Sequence, residues 1–297
     1  MCCVQYARCY LSIMKGLSAV INRIAFQGEP GAYSHQACLT ARPDHEPLPC
    51  ETFEDTIAAV NQGKASLAML PIENSIYGRV ADIHHLLPSS NLSIVDELLL
   101  PVRIMLLGPK GTGLSTITTA YSHAMLLGQC RRFLRDHGIR PSAWVDTAGA
   151  ARHVAELRDP SACAIASELA GKIHRLEILE RHIEDEPTNR TRFAVMAPAL
   201  NPNRRADHMI TAFVFQVRNI PAALYKSLGG FATNGVNMIK LESYMIDGSF
   251  SATQFYAEIE GHPDDKAVNR AMDELAHFTS TLTILGVFPA SPERQKS

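Results

Sequence analysis

The hexapeptide Thr188-Asn189-Arg190-Thr191-Arg192-Phe193 carries two hydroxyls, an amide and two guanidinium groups, and the apolar residues 194–196 follow it directly. A short apolar run of this kind is typical of a buried strand. The polar side chains then lie at the mouth of the strand, where open α/β folds bind ligands. Planar guanidinium groups match two carboxylate oxygens at once, and a threonine hydroxyl can donate to a departing oxygen. Taken alone, the hexapeptide also fits a plain polar turn before a strand.

Composition sets the class of protein. The chain has 297 residues, of which 46% are hydrophobic and 20% charged, and its net charge is −2. This is ordinary for a globular protein of two or three domains. A nearly neutral chain has no overall field to attract nucleic acid or a membrane surface. We therefore expect neither as a partner, and an anionic substrate needs local cations such as Arg190 and Arg192.

The cysteines are seven and irregularly spaced, with no C-x-x-C pair and no histidines at metal-site intervals. Such a set indicates reduced thiols in a cytoplasmic protein rather than a disulfide framework. Cys38, Cys130 and Cys163 lie among alanines and leucines, which predicts small core residues. Residues 1–22 make a poor signal peptide, so they are interpreted as an N-terminal extension or as sequence upstream of a start at Met14.

The first α/β lobe begins with a strand at residues 23–27, followed by the turn Gly28-Glu29-Pro30-Gly31-Ala32-Tyr33-Ser34. Ser34 is predicted to cap a helix that runs to about Ala41. A glycine turn before a helix favours an anion, because free backbone N–H groups point at it. A plain βα turn is the alternative. Further on, Thr52 and Asp55 form a close match to a capping box.

A second buried strand at residues 66–70 delivers Asn74 and Ser75 to the same edge of the sheet. Their uncharged donors suit carboxylate or hydroxyl oxygens. The helix after them holds His84 and His85, which we interpret as surface or boundary residues rather than a catalytic pair.

Pro101 marks a crossover into a second α/β lobe, whose helices we expect to be capped by Ser122, Thr147 and Ser167. Alternation of strands and helices predicts largely parallel sheets. Two lobes joined by two crossings enclose a cleft, which is a favoured place for a small-molecule site. Ser122-His123 and Ser167-Glu168 are predicted to face that cleft.

Residues 201–205 have the composition of a linker, and the segments beyond them follow the βαββαβ order of the ferredoxin-like arrangement. Pro221 is predicted to start the first helix and Asp247-Gly248 to form a hairpin turn. In the following strand the alternation predicts that residues 255, 257 and 259 point inward and that Gln254, Tyr256 and Glu258 point outward.

Four stretches, in the right order, resemble motifs of the prephenate dehydratases and cover roughly residues 23–290. They are the N-x-T-R-F signature at residues 189–193, the turn at residues 28–34, the stretch Pro71-Ile72-Glu73-Asn74-Ser75-Ile76-Tyr77-Gly78, and the C-terminal segment. In that segment, residues 221–224 and 237–243 stand where the family's regulatory ACT domain shows its G-A-L and N-L-x-x-I-E-S motifs.

The resemblance implies an α/β protein with a two-lobed, periplasmic-binding-protein-like catalytic region and a C-terminal ferredoxin-like βαββαβ (ACT) domain. The implied limits are an extension at 1–22, a catalytic region at 23–200 and a regulatory domain at 208–290. Within the catalytic region, lobe 1 takes about 23–100 and 186–200, and lobe 2 takes about 101–185.

The implied reaction converts prephenate to phenylpyruvate with loss of water and carbon dioxide, in phenylalanine biosynthesis. Thr191 is implied as the donor to the leaving hydroxyl, and Arg192 as a residue for carboxylate binding or for orientation of the site. The implied substrate-binding residues are Ser34, Asn74, Ser75, Ser167, Asn189 and Phe193. Because aromatisation drives the reaction, no cofactor or metal is expected. Since a threonine is a weak acid, electrostatic preorganisation is expected to supply much of the effect.

The resemblance also implies L-phenylalanine as an allosteric ligand bound between paired domains, in a homodimer or homotetramer. The candidate contacts are Ala223, Leu224, Asn237, Glu242 and Ser243. Tyr244-Met245 replaces the family's usual Arg-Pro, so the strength of phenylalanine control stays open.

Two alternatives accompany this interpretation. An arogenate dehydratase has the same fold and chemistry with an amino group in place of the keto oxygen. A two-lobed amino-acid sensor without catalysis belongs to a different class, and the Thr191-Arg192-Phe193 motif speaks against it.

Overall fold

The computed structural model describes residues 22–200, 204–218, 220–245 and 254–296. The predictions made for residues 1–21, for residues 201–203 of the linker and for the turn Asp247-Gly248 lie outside these ranges. Within them the chain alternates strands and helices and forms two sheets.

The fifteen described strands are β1 Arg23–Gln27, β2 Glu46–Cys50, β3 Leu67–Asn74, β4 Gly78–Arg79, β5 Ser93–Pro101, β6 Met105–Gly108, β7 Thr119–His123, β8 Arg140–Trp144, β9 Ala162–Ala166, β10 Glu177–Arg181, β11 Arg190–Ala197, β12 Met209–Val217, β13 Met238–Tyr244, β14 Gln254–Glu260 and β15 Thr279–Pro289. The described α-helices are α1 Tyr33–Ala41, α2 Phe53–Asn61, α3 Ala81–Leu86, α4 Ala124–Gln129, α5 Arg131–Asp136, α6 Thr147–Leu157, α7 Glu168–His174, α8 Ala223–Thr233 and α9 Lys266–Phe278.

The sheet of lobe 1 brings distant motifs together through strand β11. Strand β1 pairs in parallel with β2 and β3, while β11 returns from lobe 2 and inserts antiparallel between β3 and β5. This register places Thr191 directly opposite Asn74 on β3 and opposite Leu100 on β5. The motifs at residues 71–78 and 189–193 are therefore neighbours in the folded chain.

Lobe 2 has its own five-stranded sheet, in the order β10-β6-β9-β7-β8. Strand β7 is parallel to β8 and β9, whereas β6 runs antiparallel to β9 and β10. The chain enters this lobe between β5 and β6 and leaves it between β10 and β11. The exact limits of the domains stay a prediction, and the names lobe 1 and lobe 2 follow those limits.

Two of the predicted helix caps are confirmed. The Thr52 hydroxyl accepts from the Asp55 amide at 3.0 Å, and the Ser167 hydroxyl accepts from the Ala170 amide at 3.0 Å. The buried cysteines are also confirmed, since Cys38, Cys130 and Cys163 each show 0% exposure.

The predictions for Ser34, Ser122 and Thr147 as caps are wrong. Helix α1 starts one residue before Ser34 and has no side-chain cap. Ser122 lies inside β7, fully buried, and donates to the Ile165 carbonyl at 2.6 Å, so it does not face the cleft either. At α6 the carboxylate of Asp146, one residue earlier than Thr147, accepts from the Gly149 amide at 2.7 Å.

The C-terminal unit, residues 208–290, has the predicted βαββαβ order, with strands in the order β13-β14-β12-β15. Helices α8 and α9 pack on one face of its sheet. Helix α8 begins at Ala223 rather than at Pro221. Strand β15 continues the sheet into lobe 1, where Gly286 lies opposite Ile94. A Cβ at Gly286 would come within 2.4 Å of the Ile94 carbonyl oxygen, so this join requires glycine.

The second face of the C-terminal sheet packs against lobe 1, so the prediction that its residues point outward to solvent is wrong. Gln254, Tyr256 and Glu258 are 8%, 1% and 0% exposed. One apolar cluster contains Ile72 and Ile94 of lobe 1 together with Tyr256 of the C-terminal unit. Lobe 1 and the C-terminal unit therefore share a core.

Among the described helices none has the length and apolar character needed to cross a membrane.

Candidate active site

Asn74 lies at the centre of the polar groups that the two motifs bring together. Its Oδ1 accepts from the backbone amides of Ile76 and Tyr77, both at 3.0 Å. These two bonds fix the orientation of the amide, because only an oxygen can accept them. The Nδ2 group therefore points toward the start of β11, where it donates to Thr191 Oγ1 at 3.1 Å and to Asn189 Oδ1 at 2.8 Å.

The Thr191 hydroxyl is half-buried and has a fixed acceptor role toward Asn74. A hydroxyl carries one donor and two acceptor lone pairs. No acceptor for its proton lies within hydrogen-bond distance in the described part of the chain. The Thr191 hydroxyl is therefore able to donate to a ligand oxygen, and its role as the donor to a leaving hydroxyl stays a prediction.

Asn189 links this pair to lobe 2. It is 1% exposed, and its Nδ2 donates to Gln129 Oε1 at 2.8 Å. Gln129 is the last residue of α4 in lobe 2. Sequence reasoning missed Gln129, because a single glutamine at a helix end gives no signal of a partner 60 residues further along the chain.

Ser75 fastens the turn after β3 to the beginning of β11. Its amide donates to the Arg190 carbonyl at 2.9 Å, and its hydroxyl accepts from the Arg190 amide at 3.0 Å. Ser75 lies beside Asn74 as predicted, but its hydroxyl oxygen already serves the protein backbone.

Ser167 and Gly31 close the junction between the lobes. The Ser167 hydroxyl, 1% exposed, donates to the Gly31 carbonyl at 2.6 Å. Gly31 has φ +103°, and a Cβ there would lie 2.8 Å from the Ala170 Cα. Both the backbone angle and the close approach require glycine, so the first motif acts here by letting α7 of lobe 2 come close.

Ser34 and Phe193 have little access to the cleft. Ser34 is 8% exposed in the first turn of α1. Phe193 is 1% exposed and packs in the core of lobe 1 with Phe26 and Met69. The prediction that Phe193 contacts substrate does not fit this burial. The Phe193 ring instead anchors β11 in the core of lobe 1.

The two arginines of the signature are already paired with carboxylates of the protein. Arg190 Nη1 lies 2.8 Å from Glu293 Oε2. Arg192 Nε donates to Glu97 Oε2 at 2.7 Å, and its Nη1 donates to Glu258 Oε1 at 2.6 Å. The expectation that Arg190 and Arg192 supply cations to a substrate is therefore corrected. Of the two roles predicted for Arg192, orientation of the site is the one that fits.

We call Arg192, Arg294, Glu97 and Glu258 the Arg192 cluster. Both glutamate side chains are 0% exposed. Burial is the largest single influence on the pKa of Glu258 and raises it, but Arg192, Arg294 and the Tyr256 hydroxyl together outweigh burial and hold the pKa below its ordinary value. Burial likewise lowers the pKa of Arg192, and Glu258, Tyr256 and Glu97 together outweigh it and raise that pKa. The cluster thus holds two positive and two negative charges, balanced in a buried place.

A cavity of about 280 Å³ adjoins Asn189 at the junction of the lobes and is lined in part by Tyr77, Gln129 and Arg131. In the described ranges, Arg131 has no carboxylate within ion-pair distance, unlike Arg190 and Arg192. Sequence reasoning missed Arg131, which follows the helix holding Gln129.

The predicted phenylalanine contacts fall into separate places. Ala223 and Leu224 pack on the helix-covered core of the C-terminal unit. Asn237 Nδ2 donates to Glu260 at 3.0 Å. Glu242 and the Ser243 carbonyl both contact Arg79 of lobe 1, at 3.7 and 2.8 Å. Their role in binding phenylalanine stays a prediction.

The described residues contain no group of three or more histidine, cysteine, aspartate and glutamate side chains arranged to hold a metal ion.

Comparisons with known proteins agree with this arrangement. A family model described as prephenate dehydratase matches residues 24–200. A bifunctional N-acyl-homoserine lactone acylase/prephenate dehydratase of Komagataeibacter europaeus is 50% identical over 275 residues, covering 92% of this chain and 98% of that protein. An arogenate dehydratase/prephenate dehydratase of Arabidopsis thaliana is 37% identical and is covered over 72% of its length, by 90% of this chain.

Among solved structures, the prephenate dehydratase of Arthrobacter aurescens in complex with L-Phe superposes with a TM-score of 0.82, at 27% identity, over 91% of this chain and 92% of that one. The family model, the relatives and the Thr191 arrangement agree, and this chain belongs to the prephenate dehydratase family.

Proposed function

We propose that this chain removes water and carbon dioxide from prephenate to give phenylpyruvate, in the synthesis of phenylalanine. The observation that carries the proposal is the Thr191 hydroxyl, which Asn74 orients as an acceptor and which keeps its proton for a ligand. Membership of the prephenate dehydratase family supports the choice of reaction.

This reaction conserves electrons within the substrate. The electron pair of the bond to the departing carboxylate moves into the ring, and the pair of the carbon–oxygen bond leaves with the ring hydroxyl, which takes up a proton to become water. No redox partner is needed, because no electrons enter or leave the substrate. A positioned donor at the leaving oxygen is worth roughly 10²- to 10⁴-fold in rate, and Thr191 is that donor.

Contacts between the two lobes limit the access of water. The Tyr33 hydroxyl donates to the Arg103 carbonyl at 2.9 Å across the lobe boundary. The bond from Ser167 to Gly31 closes the same boundary.

The deciding experiment is turnover of prephenate, followed through the absorbance of phenylpyruvate. A parallel assay with arogenate, followed through phenylalanine, tests the nearest alternative, since the Arabidopsis thaliana relative carries both names. Faster turnover of prephenate supports the proposal. Faster turnover of arogenate means that arogenate is the substrate, while the proposed chemistry stands. If neither compound is turned over, the proposal is wrong.

A second candidate function comes from the relative of Komagataeibacter europaeus, named as an acylase as well and 50% identical over nearly its whole length. Hydrolysis of an N-acyl-homoserine lactone needs an activated nucleophile. In the described residues no serine, threonine or cysteine side chain hydrogen-bonds to a histidine ring. Release of the free fatty acid by purified protein tests this activity, and its persistence in Thr191→Ala shows that it uses a separate site.

Phenylalanine control belongs to the same proposal. The C-terminal unit binds L-phenylalanine through residues that include Asn237, Glu242 and Ser243, in a cytoplasmic homodimer or homotetramer. The solved relative of Arthrobacter aurescens, described as a complex with L-Phe, supports this choice of ligand. Millimolar phenylalanine is expected to lower the rate of prephenate turnover and to promote assembly. An unchanged rate and an unchanged size in light scattering contradict it.

A further inference from the structure

The Arg192 cluster spans the boundary between lobe 1 and the C-terminal unit. Arg192 on β11 and Glu97 on β5 belong to lobe 1, whereas Glu258 on β14 and Arg294 lie beyond the residues that the family model matches. Arg294 donates to Glu97 at 2.6 and 2.9 Å and to Glu258 at 3.1 Å. Each of the two carboxylates therefore contacts Arg192 of lobe 1 and also Arg294, which follows the C-terminal unit.

The cluster leaves little freedom for the two units to slide. Both glutamate side chains are fully buried and the Arg192 side chain is 8% exposed, although a cavity of about 620 Å³ borders the cluster. The Tyr256 hydroxyl donates to Glu258 as well. A displacement of β14 must either carry Arg192 with it or leave a charge buried without its partner, which is strongly unfavourable.

Arg192 also lies next to an irregularity in the strand ladder. Its pairing with β3 shifts register between Arg192 and Phe193, which marks a bulge beside the catalytic threonine. At such a bulge the backbone ladder is locally disrupted. The side-chain bonds of Arg192 to Glu97 and Glu258 therefore contribute to the position of β11 at this point.

A second ionic contact reaches the other half of the site. Lys240 on β13 of the C-terminal unit pairs with Glu73, the residue before Asn74. Glu73 also lies 3.8 Å from Arg192. The bond between Asn74 and Thr191 is thus flanked on both strands by residues with ionic contacts to the C-terminal unit, at Glu73 and at Arg192.

We propose that Glu258 is a positioning residue for the Thr191 hydroxyl and that the C-terminal unit alters the catalytic step through Glu258 and Arg192. This inference rests on the proposed function. Glu258 contacts Arg192, which lies on the face of β11 opposite to Thr191. It acts by holding β11 so that Thr191 stays within reach of Asn74.

The test compares three variants of the full chain. Glu258→Gln removes the charge, and Glu258→Asp keeps the charge but withdraws it from Arg192 by one methylene. Leu285→Val is the matched control, because Leu285 is buried in the same interface outside the cluster. For each variant, kcat and KM for prephenate and hydrogen exchange at residues 73–75 and 190–193 are measured.

We expect both Glu258 variants to lower kcat by at least about 5-fold, in the usual range of coupling between sites, with KM nearly unchanged. The same variants are expected to speed exchange at residues 190–193, whereas Leu285→Val changes neither kcat nor that local exchange. Folded Glu258 variants with wild-type kcat and wild-type exchange overturn the inference. If the wild-type chain does not turn over prephenate, the proposed function fails, and the exchange comparison still decides whether Glu258 positions β11.

Discussion

Thr191 and Arg192 are consecutive residues of one strand, and their surroundings could hardly differ more. The Thr191 side chain lies on the face that carries Phe193, at the junction of the two lobes, with one hydrogen bond from Asn74. The Arg192 side chain lies on the opposite face, 8% exposed, between carboxylates of lobe 1 and of the C-terminal unit. The first face belongs to lobe 1, and the second is shared with the C-terminal unit and borders a cavity of about 620 Å³.

The same contrast holds for the two boundaries that meet at β11. Lobes 1 and 2 touch through polar contacts, such as the bonds from Ser167 to Gly31 and from Arg152 to Glu29, and through Tyr33, which packs against the apolar core of lobe 2. Lobe 1 and the C-terminal unit share an apolar core and the buried Arg192 cluster. Boundaries with few buried apolar contacts open at low cost in free energy. We infer that substrate enters between the lobes, while the C-terminal boundary stays closed and transmits regulation.

The largest expected effect is on the face of β11 that carries Thr191. Thr191→Ala removes the only group on this face that we assign to the leaving hydroxyl, so kcat should fall by roughly 10²- to 10⁴-fold. The measurement is the rate of phenylpyruvate formation. The fold should not change, because the side chain is half-buried and, within the described ranges, its hydroxyl accepts one hydrogen bond, from Asn74.

Thr191→Ser is the matched control, since it keeps the hydroxyl and loses only a methyl group. It should retain far more activity than Thr191→Ala. Equal losses in the two variants would show that the methyl group or the backbone, rather than the hydroxyl, is what the reaction needs.

On the face of β11 that carries Arg192, the expected effect is on the stability of the fold. Glu97→Ala removes the acceptor shared by Arg192 and Arg294 and also the partner of the Ser291 amide. Breaking a buried ion pair from one side typically costs about 3–5 kcal/mol of unfolding free energy. Unfolding in urea measures it. The exposed residue Glu54 provides the control, because Glu54→Ala should stay within about 0.5 kcal/mol of wild type.

Asn74 gives a smaller effect on rate. Asn74→Asp keeps the acceptor for the Ile76 and Tyr77 amides but replaces the donor toward Thr191 by a second acceptor. The change removes the Nδ2 donations to Thr191 Oγ1, to Asn189 Oδ1 and to the Arg190 carbonyl. Loss of even one such hydrogen bond costs about 1–3 kcal/mol, so kcat should fall by at least roughly 5-fold. A variant as fast as wild type would mean that Asn74 does not orient the hydroxyl.

The local features of this fold follow from short-range chemistry, and they could be predicted. Strand β1, the cap at Thr52 and the cap at Ser167 depend on residues within a few positions of each other. The caps assigned to Ser122 and Thr147 were wrong by one residue at most, because β7 runs on to His123 and because Asp146 offers a stronger acceptor. The prediction of Thr191 as a ligand donor agrees with its placement beside Asn74.

What could not be predicted is which face meets another unit. The alternation in β14 separates two faces, but the sequence gives no sign that the face of Tyr256 and Glu258 is covered by lobe 1. His84 illustrates the same limit: predicted to be a surface or boundary residue, it is 3% exposed and packs edge-on against Tyr256 at 4.9 Å between ring centroids. Arginine partners are equally hidden, since Arg192 and Glu258 lie 66 residues apart in the chain.

The smallest expected effect is at the boundary between the lobes, where Arg152 donates to both carboxylate oxygens of Glu29 at 2.9 and 3.0 Å. These side chains are 47% and 37% exposed, so solvent screens the pair and Arg152→Met should cost at most about 1 kcal/mol. The hydrogen bond from Arg152 holds the pKa of Glu29 below its ordinary value of 4.5. Because the pKa is lowered in the folded state, the stabilisation is complete above pH 4.5 and is lost as the pH falls through the lowered pKa. Thermal unfolding of wild type and Arg152→Met should therefore differ slightly at neutral pH and converge in acid. A large difference, or one that grows in acid, would mean that the lobes are held together as firmly as lobe 1 and the C-terminal unit, and the distinction between the two boundaries would not stand.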